Sequence, residues 1–288
     1  MSNKDLLDNI KRLREMTGVG FKDCKIALDE SKNDIEKSIE FLRKKGIAKA
    51  SKKMSRTATE GLALVKEKSG QVSLLEVNSE TDFVAKNKDF INFCKEISEI
   101  NFSTKGNLSK LNESKMSNGI LVKDNLVNLI SKIGEKITIR RSIFFDDTKG
   151  MNFYYVHSGI EKEIGKIISI VKIEGITKGI NDDLGNKIAM HIAASNPIAV
   201  EKEGIDKKLV EKELEIIKAE LINSGKPAEM SDKISTGKIT KFLNENSLLN
   251  QIWIMDPKKK VSDILKENSS DEQLKVVDFV RFKVGEGV

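Results

Sequence analysis

Apolar side chains recur at helical spacing through the first fifty residues. Leu6, Leu7, Ile10 and Leu13 form one stripe, Phe21, Cys24, Ala27 and Leu28 a second, and Ile35, Ile39 and Leu42 a third. Thr17-Gly18-Val19-Gly20 stops the first helix, because glycine permits a left-handed exit. Asn33 starts the third, with Glu36 placed to complete a capping box, and Gly46 stands where a terminal cap is expected. Three short helices make a minimal bundle with a small core. The loop from Thr17 to Phe21 sets two apolar side chains beside two glycines. It suits a docking surface and a plain helix–helix turn equally. Residues 49–60 are polar, basic and aperiodic, as in a solvated linker.

From Gly61 the period shortens to two. Leu62 and Leu64 alternate with Ala63 and Val65, Lys68-Ser69-Gly70 signals a hairpin turn, and Gln71–Val77 predicts the returning strand. Phe90, Phe93, Cys94 and Ile97 predict a helix over 88–100. A helical stretch over 122–134 precedes a strand over 136–145. A similar order then repeats: a strand over 153–157, a second over 166–173, a helix over 184–194 and a final strand at 279–284. Tandem units of this kind predict an α+β fold with two pseudo-symmetric subdomains and small antiparallel sheets. Between the second helix and the last strand, Val210, Leu214, Ile217 and Leu221 follow the spacing of a coiled-coil seam. After the turn Ser224-Gly225-Lys226-Pro227, residues 230–242 predict a returning helix. The result is an inserted antiparallel helical hairpin over 207–245. Its seam either closes on itself or serves a homodimer or partner contact.

The chain has 288 residues, 39% of them hydrophobic and 33% charged, enough to bury substantial cores. A net charge of +6 leaves nucleic acid open as a partner, but acidic and basic residues are interleaved and aromatics make up only 5%. A mixed solvated surface without direct nucleic-acid contact is the expectation. Cys24 and Cys94 are the only cysteines and stand in no paired motif, which fits a reducing compartment and excludes a zinc site of the usual spacing. No apolar run reaches membrane-spanning length, and the first residues suit neither a signal nor a transit peptide. A cytoplasmic protein away from membranes is expected. The phosphate-binding Gly-Lys-Ser/Thr loop, the dinucleotide fingerprint and the nucleophile motifs are missing. His157 and His191 lack ligand neighbours in sequence. Neither an enzyme with covalent or metal chemistry nor a cofactor is expected.

The stretch that stands out is Thr81-Asp82-Phe83-Val84-Ala85-Lys86-Asn87, which links a strand to a helix. A phenylalanine at an exposed loop tip is costly unless something covers it. Either Phe83 tucks into its own core while Asp82 caps the following helix, or the pair forms a wedge for a partner.

The chain resembles bacterial elongation factor Ts. The resemblance rests on Leu13-Arg14-Glu15-Met16-Thr17-Gly18-Val19-Gly20, Glu80-Thr81-Asp82-Phe83-Val84-Ala85-Lys86-Asn87, Met190-His191-Ile192-Ala193-Ala194-Ser195, Ser224-Gly225-Lys226-Pro227 and Arg281-Phe282-Lys283-Val284-Gly285-Glu286-Gly287. It implies a ubiquitin-associated-like helical domain with its linker over 1–54, a first core subdomain over 55–146, and a second over 147–288 carrying the hairpin. The implied partner is elongation factor Tu, in its GDP-bound and nucleotide-free forms. The implied activity is GDP release and GTP exchange, with Thr81, Asp82, Phe83 and Val84 dislodging that partner's magnesium. Leu13, Arg14, Thr17, Gly18, Val19 and His157 would make further partner contacts. The competing expectation is an RNA-binding translation accessory protein, motivated by the net charge and the basic linker. The sequence departs from the family pattern at Met16, where a basic residue is common, and at Ile252-Trp253, where Pro-Phe is usual. It ends at Val288, so the contacts some relatives make with a following helix are not carried over.

Overall fold

The computed structural model describes residues 3–17, 19–175, 182–223, 228–269 and 273–288. Gly18 and the turn Ser224–Pro227 lie outside the described residues.

Helices α1 (Asn3–Thr17), α2 (Phe21–Glu30) and α3 (Ile35–Ser51) enclose Ile10, Leu13, Cys24, Ala27, Leu28 and Leu42. Two expected caps are corrected. Asp34, not Asn33, caps α3: its carboxylate accepts from the Lys37 N–H at 3.0 Å, while Asn33 turns the chain with φ 63°. The helix also runs through Gly46 to Ser51. Gly46 packs against Val127 and Ser131, and that tertiary contact outweighs glycine's helix penalty of about 1 kcal/mol.

Strands β1 (Glu60–Lys68) and β2 (Gln71–Ser79) form the expected hairpin. The single turn α4 (Asp82–Ala85) leads to α5 (Lys88–Ser103), then α6 (Leu108–Glu113), α7 (Val122–Ile133) and β3 (Ile137–Phe145). The second half contributes β4 (Met151–His157), β5 (Ile164–Gly165), β6 (Ile167–Glu174) and α8 (Asp182–Ser195). It continues with α9 (Lys207–Asn223), α10 (Ala228–Asn246), α11 (Val261–Glu267) and β7 (Lys275–Lys283). The fold is α+β, as expected. Helices α6 and α11 and the two-residue β5 are additions that the sequence pattern did not reveal.

Two antiparallel sheets result, ordered β3-β2-β1-β5 and β4-β6-β7. Leu62, Leu64, Leu75 and Val77 face a core built with Phe90, Ile97 and Ile130. From the opposite face, Ala63, Val65, Val72 and Leu74 meet Ile168, Ile170 and Phe282 of the second sheet. Beyond that sheet, Val171 and Ile173 pack with Ile188, Ile192, Trp253 and Leu265. The layers are therefore helix, sheet, sheet, helix. Strands buried on both faces explain runs such as Leu62–Val65, in which both alternating sets are apolar. In the hairpin, Ile217 and Leu221 are buried, Val210 and Leu214 half-buried, and Lys238 pairs with Glu220 at 2.8 Å. The Asn246 carbonyl accepts from the Ile198 N–H at 2.8 Å, so α10 ends near the chain leading into α9.

One carboxylate joins the two halves. Glu76 on β2 is fully buried. It accepts from Arg140 Nη1 at 2.9 Å, Arg141 Nε at 2.5 Å, Asn78 Nδ2 at 3.1 Å and the Gly285 N–H at 2.9 Å. Gly285 has φ 78°, and a Cβ there would fall 2.0 Å from the Thr59 carbonyl oxygen, so only glycine brings this N–H to the carboxylate. Burial pushes the Glu76 carboxyl up, but the Gly285 N–H and the two guanidinium groups outweigh it and hold it below its ordinary value. Because the folded value is depressed, the stabilisation is complete above about pH 4.3, the unfolded value, and is lost as pH falls through the folded value. Glu76→Ala should cost about 3 kcal/mol in urea unfolding near neutral pH, since it strands donors that the carboxylate satisfied. The stability gap between the wild type and Glu76→Gln should narrow below about pH 4, a shift measurable by thermal unfolding across pH.

Candidate functional site

The strand β2 ends at Ser79, and the chain makes one helical turn before α5. That turn points Val84 and Ala85 into the core beneath β1 and β2. Phe83 then has nowhere to go but outward, and its surface is 78% exposed. Of the two readings left open for this stretch, the buried one does not hold. Asp82 does not cap α5 either. Asn87 does, its side-chain oxygen accepting from the Asp89 N–H at 2.9 Å and the Phe90 N–H at 3.3 Å. The Asp82 carboxylate instead accepts from Lys86 Nζ at 2.7 Å. That bond, with a smaller contribution from Lys166, holds the Asp82 carboxyl below its ordinary value. Lys86 Nζ lies 6.0 Å from the centre of the Phe83 ring. The tip thus presents an uncovered aromatic face next to a carboxylate–ammonium pair.

The root of the loop is held firmly. Thr81 donates its N–H and its hydroxyl to the Glu135 carboxylate, at 3.0 and 2.9 Å. Ser79 Oγ donates to the Thr81 carbonyl at 3.0 Å. Glu80 accepts from the Lys136 N–H at 2.5 Å and from Arg56 Nη1 at 3.2 Å. Burial raises the Glu80 carboxyl, but the Lys136 N–H and the Arg56 guanidinium bring it below its ordinary value. Glu80 was quoted only as part of the Glu80–Asn87 motif and Glu135 not at all, and no role was read for either. Thr81 and Glu135 are 54 positions apart and Glu80 is 56 from Lys136 and 24 from Arg56, and no local spacing marks such pairs.

The N-terminal candidates divide. Leu13 is fully buried within the helical bundle, so it can only shape the surface above it. Its carbonyl accepts from Thr17 Oγ at 2.6 Å. Arg14 is exposed, and Thr17 and Val19 are half-buried. Met16 and Phe21 add exposed apolar surface. A groove of about 450 Å³ between this end of the bundle and α7 is lined by Met16, Thr17, Val19, Arg43, Ile120 and Asn125. Gly18 lies outside the described residues. His157 stands exposed at the end of β4, its Nδ1 lying 3.4 Å from the Tyr155 hydroxyl. Its carbonyl accepts from the Lys166 N–H at 3.3 Å, and the Lys166 ammonium reaches Glu60 at 2.7 Å. Lys166 therefore connects the His157 end of β4 with the side of β1 near Asp82.

His191 belongs to the core. It is fully buried, stacks on Trp253 at 5.2 Å and sits 2.9 Å from the Gln251 side-chain oxygen. Burial pushes its pKa down. Cys24 and Cys94 are buried and unpaired. Among the described residues, no group of three or more histidine, cysteine or acidic side chains is placed to hold a metal ion, and no helix is long and apolar enough to cross a membrane.

A sequence model of the family described as Elongation factor TS matches residues 80–286, a span that contains the whole Asp82–Phe83 loop. The elongation factor Ts of Clostridium kluyveri is 39% identical over 287 residues, covering 97% of this chain and 92% of that protein. The elongation factor Ts of Methylobacterium nodulans is 40% identical over 283 residues, with the same coverage. That of Maricaulis maris is 38% identical over 287 residues, covering 97% of this chain and 91% of the relative. These alignments extend the likeness through the N-terminal helices, ahead of the span matched by the family model. This chain belongs to the elongation factor Ts family, a family of translation elongation factors.

Proposed function

We propose that the chain acts in the cytoplasm as a nucleotide exchange factor, binding elongation factor Tu and promoting release of GDP and entry of GTP. The observation that carries this reading is the exposure of Phe83, 78% of its surface, on a turn whose root is fixed by hydrogen bonds. A large apolar side chain is left in water where burying it would be worth about 1.5–3 kcal/mol. A partner's pocket supplies that burial. Asp82 beside it brings a negative charge that suits displacement of the partner's magnesium by competition for its surroundings. Arg14, Thr17 and Val19 offer a second contact surface, and His157 a third.

No bond is made or broken in such a process, because the mechanism is linkage. A factor that binds the nucleotide-free partner better than the GDP-bound one must weaken GDP by the same factor that GDP weakens it. Burial of one phenylalanine accounts for about one to two decades in nucleotide affinity, at about 1.4 kcal/mol per decade. Larger effects require the wider interface to hold the partner open.

Release of labelled GDP from elongation factor Tu should accelerate when this protein is added at micromolar concentration, and unchanged release would refute the proposal. The acceleration should persist at high salt, in contrast to binding through nucleic-acid phosphates, which weakens steeply with salt. Phe83→Ala should remove most of the acceleration with little change in Tm. A buried phenylalanine would instead cost about 3–5 kcal/mol of stability on truncation. Asp82→Ala should weaken the acceleration less. Replacing residues 207–245 with a short glycine linker should leave GDP release nearly unchanged, because α9 and α10 pack on each other and lie far along the chain from Asp82 and Phe83. A folded deletion variant without activity would assign the hairpin a partner contact.

A further inference from the structure

We infer that Glu135 is a positioning residue for the proposed exchange, fixing the Asp82–Phe83 loop in its projecting form and locking it to the root of the N-terminal helices. The inference rests on the reading of that loop as the exchange element.

Thr81 is the residue before the turn that carries Phe83, with extended backbone at φ −125° and ψ 159°. A threonine in this place ordinarily turns its hydroxyl to the free N–H groups of the following turn. Here no such bond is made, because the hydroxyl is committed to Glu135 along with the Thr81 N–H. One carboxylate therefore sets the direction in which the chain leaves β2.

Glu135 itself sits on a braced segment. Gly134 ends α7 in the left-handed conformation, with φ 89°, and its carbonyl accepts from Lys53 Nζ. Lys136 gives its N–H to Glu80, so each of the two carboxylates accepts the backbone N–H of the residue that follows the other. Lys136 Nζ then donates to the Met54 and Arg56 carbonyls at 2.8 and 2.7 Å. Three distant segments meet here: residues 53–56 below the helical bundle, 80–81 at the loop and 134–136 after α7. The Arg56–Glu80 pair is exposed on its arginine side, so its Coulomb energy matters little. The carboxylate bonds to backbone N–H groups are what fix the geometry.

The consequence is a fixed distance and direction between the Phe83 tip and the Arg14–Val19 surface. With the clasp loosened a partner can still dock on each surface, but the Phe83 tip is no longer held in its working direction. Loosening the clasp should then impair exchange more than association.

The test is stimulated GDP release from elongation factor Tu, titrated to saturation, with full-length variants whose folding is checked by thermal unfolding. For Glu135→Ala the maximal stimulated rate should fall about tenfold, as small displacements of positioned groups do, while the half-saturating concentration changes by less than about threefold. Glu135→Gln keeps an acceptor for the Thr81 N–H and should recover most of the rate. In Phe83→Ala/Glu135→Ala the second change should cost nothing beyond Phe83→Ala alone, since Glu135 acts through the loop. If Glu135→Ala does not remain folded at the assay temperature, Thr81→Val removes one of the two bonds and is held to the same criteria. A wild-type maximal rate in the tested variant, or a loss that adds fully to that of Phe83→Ala, overturns the inference while leaving the exchange reading in place. If Phe83→Ala alone leaves GDP release unchanged, the reading of the loop falls and the inference falls with it.

Discussion

The buried carboxylate of Glu76 is the constraint around which the two halves of the core are arranged. A charge this deep is tolerable only when every lone pair is used, and here four donors from β2, β3 and the residues after β7 converge on it. The guanidinium of Arg141 also lies over the Phe282 ring, 4.1 Å from its centre, and Arg140 continues to the Glu286 carbonyl at 2.5 Å. Arg281 in turn holds the Glu286 carboxylate at 3.0 Å. The glycine-rich end of the chain is thereby stitched to the strand that delivers the Asp82–Phe83 loop. What reads in the sequence as a basic pair and a Gly-Glu-Gly ending is one interlocked unit in the structure.

The exposure of Phe83 follows from the same economy of positions. In a single helical turn, neighbouring residues cannot all face one side. Val84 and Ala85 take the core side, so Asp82 and Phe83 are left on the other. The aromatic ring cannot retreat without dragging two buried residues into water. This makes the tip a stable feature of the free protein. The price in solvation is borne by the layers beneath it.

Much of this was legible in the sequence where a pattern extends over many residues. The alternation around the hairpin of β1 and β2 and the stripes of α1, α2, α5 and α8 marked those elements to within a few positions. The elements that went unseen are the short ones. Helix α6 depends on Asn107 accepting from the Lys110 N–H at 2.9 Å, and α11 on the N–H of Lys260 donating to Asp263 at 2.9 Å, signals too local to stand out. Strand β5 has two residues and no period at all. Glu76 lies in an apolar strand, where it resembles an outward-facing polar residue, because its partners come from 64, 65 and 209 positions away. The Asp82–Phe83 pair was visible as an anomaly, but its orientation depended on which neighbours claimed the core. Glu135 carried no signal, since a lone acid after a glycine is ordinary.

The smallest strand has a bearing on how the chain is made. Ala63 and Leu64 of β1 pair with Gly165 and Ile164 of β5, so the first sheet takes its outer strand from a segment about a hundred residues later. The second sheet waits longer still, because β6 pairs with β7 at Ile167–Lys283 and Ile168–Phe282. Contacts of such separation close slowly, since the intervening chain must be gathered first. During synthesis the early strands emerge with an apolar face awaiting a partner that has not yet been translated. Completion of this fold is therefore a late event, reached only after β7 has been translated. The two sheets of this translation factor can close on one another only after β7 has been made.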